Sequence, residues 1–163
     1  MAKTQWLSHD EQEAWRSVML MNQQLNAVLE RGLLNSSGLS LADYGVLVTL
    51  SEAEGRMLQS RDIAQALVWE KSRLSHQVRR MESRGLVERV ACETDARASM
   101  VRLTPEGLAV IEKAAPGHVE LVRELFFDPI SQKDAKELGR ICRAISDQFQ
   151  EANCDAEVDC CPE

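Results

Sequence analysis

The segment from Ser60 to Thr104 constrains this chain most, because apolar residues recur there first at helical spacing and then in alternation. Ser60-Arg61-Asp62-Ile63-Ala64-Gln65-Ala66-Leu67 predicts a short helix capped by Ser60, with Ile63, Ala64 and Leu67 inward. Val68-Trp69 turns the chain into a second helix, about Lys71 to Arg84, whose Leu74, Val78 and Met81 share one face at spacings of four and three. Ser72, Arg73, His76, Gln77 and Arg80 then face away. Gly85 ends that helix, Leu86-Val87 with Val90 starts a strand, and Met100-Val101-Arg102-Leu103 alternates as the returning strand. The loop between them, Glu93 to Ala98, carries Arg97 near its tip.

A polar helix face beside a cationic hairpin is one of the few small arrangements able to grip duplex DNA. The charge distribution agrees once it is divided. Net charge over the whole chain is -7, which alone argues against a polyanionic partner. Residues 56–104, however, hold ten Lys/Arg against six Asp/Glu, and the remainder holds nine against twenty. One basic face on an acidic body limits non-specific adhesion while keeping a local electrostatic footprint.

With 163 residues and 44% apolar composition the chain suffices for one core with helical extensions. No window approaches the roughly 18 uninterrupted apolar residues of a membrane span, and the polar start Met1-Ala2-Lys3-Thr4-Gln5 reads as no signal peptide, so no membrane partner and a cytoplasmic location are expected. Five cysteines at 92, 142, 154, 160 and 161 lack a paired framework and speak against a secreted disulfide scaffold.

Long helices flank the central segment. Ser8-His9-Asp10-Glu11 forms a capping box opening a helix to about Arg31, with Gly32 after its end. Ser40 and Asp43 repeat the start signal for a helix bearing Leu41, Tyr44, Leu47, Val48 and Leu50 and stopping near Gly55. Thr104-Pro105 starts a fifth helix to about Phe127, which Pro116-Gly117 should bend or break. Ser131 and Asp134 cap a last helix carrying Leu138, Ile141, Ile145 and Phe149. Residues 151–163, with five acidic residues, three cysteines and no basic residue, read as a mobile tail.

Leu41-x-x-Tyr44-x-x-Leu47, Met81-Glu82-Ser83-Arg84-Gly85-Leu86-Val87-Glu88-Arg89 and Asp95-x-Arg97 running into Leu103-Thr104-Pro105-x-Gly107 give the chain a specific resemblance to the MarR family of winged helix-turn-helix regulators. The expected fold is therefore mainly α with a small two- to three-stranded β-wing. It spans residues 8–150, with a DNA-binding lobe at about 40–104 and dimerisation helices at about 8–32 and 105–150. The resemblance implies a homodimer on a pseudo-palindromic operator in double-stranded DNA, acting as a ligand-responsive regulator, expected to repress.

Carried over by position, Ser72, Arg73, His76 and Gln77 match base-facing sites of the recognition helix. Arg97 matches the wing arginine of the minor groove, and Asp95 the acidic residue that orients it. Physical chemistry agrees: arginine bridges guanine edges, glutamine suits adenine, and a narrow minor groove draws in a guanidinium. Arg79, Arg80 and Arg84 suit phosphates, which position without reading sequence. The resemblance also places a ligand pocket beside Trp15, Met19, Tyr44 and Val48, a lining suited to a small aromatic or amphipathic effector. Plain core packing explains the same spacing.

No phosphate-cradling glycine loop, His-Glu-x-x-His or triad is present, so no catalytic residue, metal site or cofactor is expected and the chain does not read as an enzyme. Two alternatives remain. One is a metal- or redox-sensing regulator using Cys154, Cys160 and Cys161; the other is a winged-helix protein-interaction module without DNA binding.

Overall fold

In a computed structural model, residues 4–91 and 99–158 are described, with side chains to Phe149. The chain divides into two compact units, Met1–Leu121 and Val122–Glu163. The first holds α1 (His9–Ser37), α2 (Leu41–Glu52), β1 (Met57–Gln59), α3 (Ser60–Ala66), α4 (Lys71–Ser83), β2 (Val87–Ala91), β3 (Ser99–Leu103) and nearly all of α5 (Pro105–Val122).

Both capping boxes form. Ser8 Oγ accepts from the Glu11 amide while Glu11 accepts from Ser8, and Ser40 and Asp43 do the same for α2. The first helix does not stop at Gly32, where a glycine C-cap was expected. It runs on to Ser37 and ends at Gly38, whose φ of 69° is the left-handed cap that glycine favours. Gly32 serves closeness instead: a Cβ there would stand 2.5 Å from Leu121 Cδ1 on α5.

Ser60 opens α3 but does not cap it. Gln59 occupies the cap position without a side-chain bond, and Ser60 Oγ donates across to the Ser99 carbonyl at 2.9 Å. That bond sits beside the strand pairing that makes the sheet three-stranded, in the order β1-β3-β2 and antiparallel throughout. Leu58 pairs with Val101, which in turn faces Arg89.

The core joins Leu33, Leu39, Leu47, Leu50, Ile63, Leu74, Val78, Met81, Val87, Val101 and Ile111. Helical faces and one sheet face bury these together, at roughly 1.5–3 kcal/mol for each large side chain taken fully out of water. Thr104 ties the wing to α5. Its Oγ1 accepts from the Gly107 amide at 2.9 Å and donates to the Gly85 carbonyl at 2.6 Å, with the Leu86 carbonyl 3.0 Å away.

The expected break at Pro116-Gly117 does not occur, since α5 is continuous through Pro116 to Val122. Proline removes one amide donor, and the surrounding turns carry the helix past it. In the second unit a wider, π-type turn at Arg123–Phe127 closes with an Asp128 amide bond to the Arg123 carbonyl at 2.8 Å. Ser131 then accepts from the Asp134 amide and opens α6, Gln132–Val158. The helix therefore enters the segment read as a tail from residue 151.

Candidate nucleic acid interface

Ile63 and Ala64 of α3 and Leu74, Val78 and Met81 of α4 are buried, so the two helices are held by their apolar faces. The connection bends sharply at Val68, whose φ of 52° is unusual for a β-branched residue and whose side chain is 90% exposed. The turn is closed by Trp69, whose amide donates to the Ala64 carbonyl at 2.8 Å.

Ser72, Arg73, His76, Arg79 and Arg80 lie exposed on α4, as the helical spacing requires. Arg73 is ordered there, its guanidinium carbon 4.3 Å from the centroid of the Trp69 ring, a cation–π contact made within the turn itself. Ser72, Arg73 and His76 sit in the first two turns of the helix, the end that meets base edges in helix-turn-helix docking.

Gln77 departs from the expected orientation. It is only 3% exposed and points into the protein, where its Nε2 donates to Asp43 Oδ1 at 2.6 Å. Its place between Leu74 and Val78 put it on the border of the apolar face, and a buried carboxylate supplies the partner that draws an amide inward. Arg84 is corrected likewise. Rather than standing free for phosphates, it donates to Asp43 Oδ2 at 2.8 Å and to the Gly38 carbonyl at 3.0 Å. Sequence reading missed Asp43 as the hub of these contacts because its capping role already accounted for it.

The strands bring further charge beside α4. Arg89 donates to the Ser75 carbonyl at 3.2 Å, and Arg102 pairs with Glu88 at 2.8 Å. Asp95 and Arg97, expected at the wing tip, lie outside the described residues, as does Cys92.

The four residues expected around an effector are not gathered by this chain alone. Tyr44 and Val48 pack half-buried against the core on α2, and the Tyr44 ring lies 4.2 Å from that of His118 on α5. Trp15 is 58% exposed on α1. It stands about 25 Å along the helix axis from Gly32, which packs on Leu121 one turn from His118. Met19 is one turn nearer and half-exposed. Burial lifts the Tyr44 hydroxyl above its usual range, with a smaller push from the Glu52 carboxylate, and lowers His118, whose Nδ1 is buried without a hydrogen-bond partner.

Among the described residues no group of three or more His, Cys, Asp or Glu is placed to hold a metal ion, and no helix is long and apolar enough to cross a membrane. Cys142 is a free, exposed thiol on α6, while Cys154, Cys160 and Cys161 lie outside the described side chains.

Two helices meeting at a tight turn, a three-stranded antiparallel sheet formed by the strands before and after them, and longer helices preceding and following in the chain define a winged helix-turn-helix protein. The comparisons with known proteins agree in both sequence and shape. A MarR family model matches residues 37–98. AbsC, a MarR family transcriptional regulator from Streptomyces coelicolor, is 41% identical over 91% of this chain and 99% of its own, with a TM-score of 0.86. Sco3205, a MarR family transcriptional regulator from the same organism whose crystal structure is in complex with DNA, is 37% identical over 91% of this chain and 92% of its own, with a TM-score of 0.88. The transcriptional regulator PecS of Dickeya dadantii is 30% identical over 101 residues, a match that spans 61% of this chain and 60% of the length of PecS. The chain belongs to the MarR family, whose members are transcription regulators rather than enzymes.

Proposed function

We propose that this chain is a DNA-binding transcriptional regulator that acts as a homodimer on a pseudo-palindromic operator, with α4 in the major groove and the loop carrying Arg97 in the adjacent minor groove. The observation that carries the reading is the outward face of α4, where Ser72, Arg73 and His76 stand exposed with Arg73 already stacked on Trp69. In this reading Ser72, Arg73 and His76 read bases, Arg79 and Arg80 meet phosphates, and Asp95 steers Arg97.

Dimer formation is supported by apolar residues that each unit leaves uncovered. In the first, α1 exposes Trp15, Val18, Leu20 and Met21; in the second, Ile141, Ile145 and Phe149 form an exposed stripe on α6 at spacings of four. Burial of such stripes against a second copy removes them from water, and two-fold symmetry is the commonest closure. Repression and relief by a small aromatic or amphipathic ligand complete the proposal, with Tyr44 and Val48 on the protein side of that site.

A mobility-shift titration on DNA flanking the chain's own gene, with and without unrelated competitor, tests the reading. A complex that survives competitor and dissociates with rising salt is the expected result. Equal binding to competitor and flanking DNA, or none to either, overturns it.

A further inference from the structure

Asp43 is 4% exposed, and its carboxylate accepts three times: from the Ser40 amide at 2.9 Å and Arg84 Nη1 at 2.8 Å on Oδ2, and from Gln77 Nε2 at 2.6 Å on Oδ1. An ionised carboxylate only accepts, so the amide nitrogen of Gln77 has to face it. The Gln77 carbonyl is thereby turned to the other side. There it accepts from Nη2 of Arg80, a guanidinium that only donates. Donor and acceptor alternate along Asp43, Gln77 and Arg80 in the one order their chemistry allows, and the buried amide is bonded at both ends.

Such an arrangement exceeds what packing α4 needs, since Leu74, Val78 and Met81 already anchor the helix. Its outer end is a cation on the face turned to solvent. We propose that Gln77 is a positioning residue: its buried amide transmits the fixed orientation of Asp43 to Arg80 and holds that guanidinium ready for a phosphate oxygen of the DNA backbone. The inference rests on the DNA-binding reading above. An arginine ordered in advance gives up less freedom when it meets a phosphate, whose oxygens match its planar donor fork.

The test is a double-mutant cycle on operator DNA with Gln77→Met, which keeps length and apolar volume but removes both bonds, and Arg80→Ala. Each alone is expected to weaken binding roughly three- to tenfold, in keeping with a single ordered phosphate contact, and the double variant is expected to bind as Arg80→Ala does. Equal effects of Gln77→Met in the two backgrounds, or wild-type affinity for Gln77→Met, overturn the proposal. Arg73→Ala separates the positioning role from the DNA reading beneath it. If it weakens operator binding while Gln77→Met does not, the positioning role fails and the DNA reading stands; if wild-type protein forms no operator complex, the DNA reading itself fails. Nitrogen NMR of the free wild-type protein needs no variant to fold. Slow rotation of the Arg80 guanidinium supports the proposal, and free averaging overturns it.

Discussion

Trp69 lies under the Arg73 guanidinium, 4.3 Å from ring centroid to Cζ, so the residue that closes the turn also orders the first arginine of α4. Arg73→Ala is expected to cost roughly 1–3 kcal/mol for each base edge it no longer reaches and to relax sequence preference. Trp69→Leu keeps apolar cover but removes the π face. It is expected to cost about 0.5–1 kcal/mol with the preference retained. Binding titrations against operators carrying single base changes separate the two effects.

Arg97→Ala is expected to weaken operator affinity and flatten the logarithmic salt dependence by about one to two units, because the proposed dimer would then bring one cationic charge fewer per subunit to the DNA. Thermal melting should be unchanged. Wild-type affinity across the salt series would remove the wing from the mechanism.

Gly107 and Gly117 share α5 and predict opposite outcomes. A Cβ on Gly107 would fall 2.0 Å from the Leu86 carbonyl oxygen, a backbone atom that cannot swing aside, whereas nothing lies within 4 Å at Gly117. Gly107→Ala should destabilise by about 1–3 kcal/mol or more. Gly117→Ala should stabilise by about 0.5–1 kcal/mol, because alanine restricts the unfolded chain. Urea midpoints measured side by side check both.

His118 gives the stability of the first unit a pH dependence. Burial holds its folded pKa below the ordinary value of 6.5, so between the folded and unfolded values the unfolded chain binds more protons. The stabilisation is complete above the unfolded value and is lost as pH falls through the folded one. His118→Phe keeps a ring against Tyr44 without the proton. On acidification below about 6.5, the unperturbed histidine value, wild type should therefore lose melting temperature relative to the variant, whatever the sign of their difference at neutral pH. A difference that is flat from neutral pH downward would contradict the burial argument.

Ile145 is 53% exposed on the α6 stripe. Ile145→Glu is expected to leave helix content intact while shifting the sedimentation mass from two chains toward one at micromolar concentration. An unchanged mass would take this stripe out of the dimer interface.

Much of the fold was legible because its signals are local. The serine caps at Ser8 and Ser40 need only the three residues that follow them, and Leu74, Val78 and Met81 needed only helical spacing. The failures share a different cause. Gly32 has the composition of a helix end, and only the nearness of Leu121 shows that it is there for close packing. Gln77 has the composition of a surface reader, and only the buried carboxylate of Asp43, contributed by another helix, turns it inward. The β1 strand escaped notice because three residues carry too little alternation to be seen until β3 pairs with them. Gly107 sits at the other extreme: its place after Thr104-Pro105 marked the family, and the Leu86 carbonyl supplies the physical reason.

The carbonyl of Gly38 holds Arg84, which also holds Asp43, so the C-terminal end of α1 is moored to the C-terminal end of α4. From that mooring back to Trp15, α1 extends about 35 Å at 1.5 Å per residue. The same helix is packed at Gly32 against Leu121 of α5 and buried at Leu29 and Leu33, so its anchored part is the C-terminal third, and the stretch back to Trp15 presents its exposed apolar residues from a fixed base.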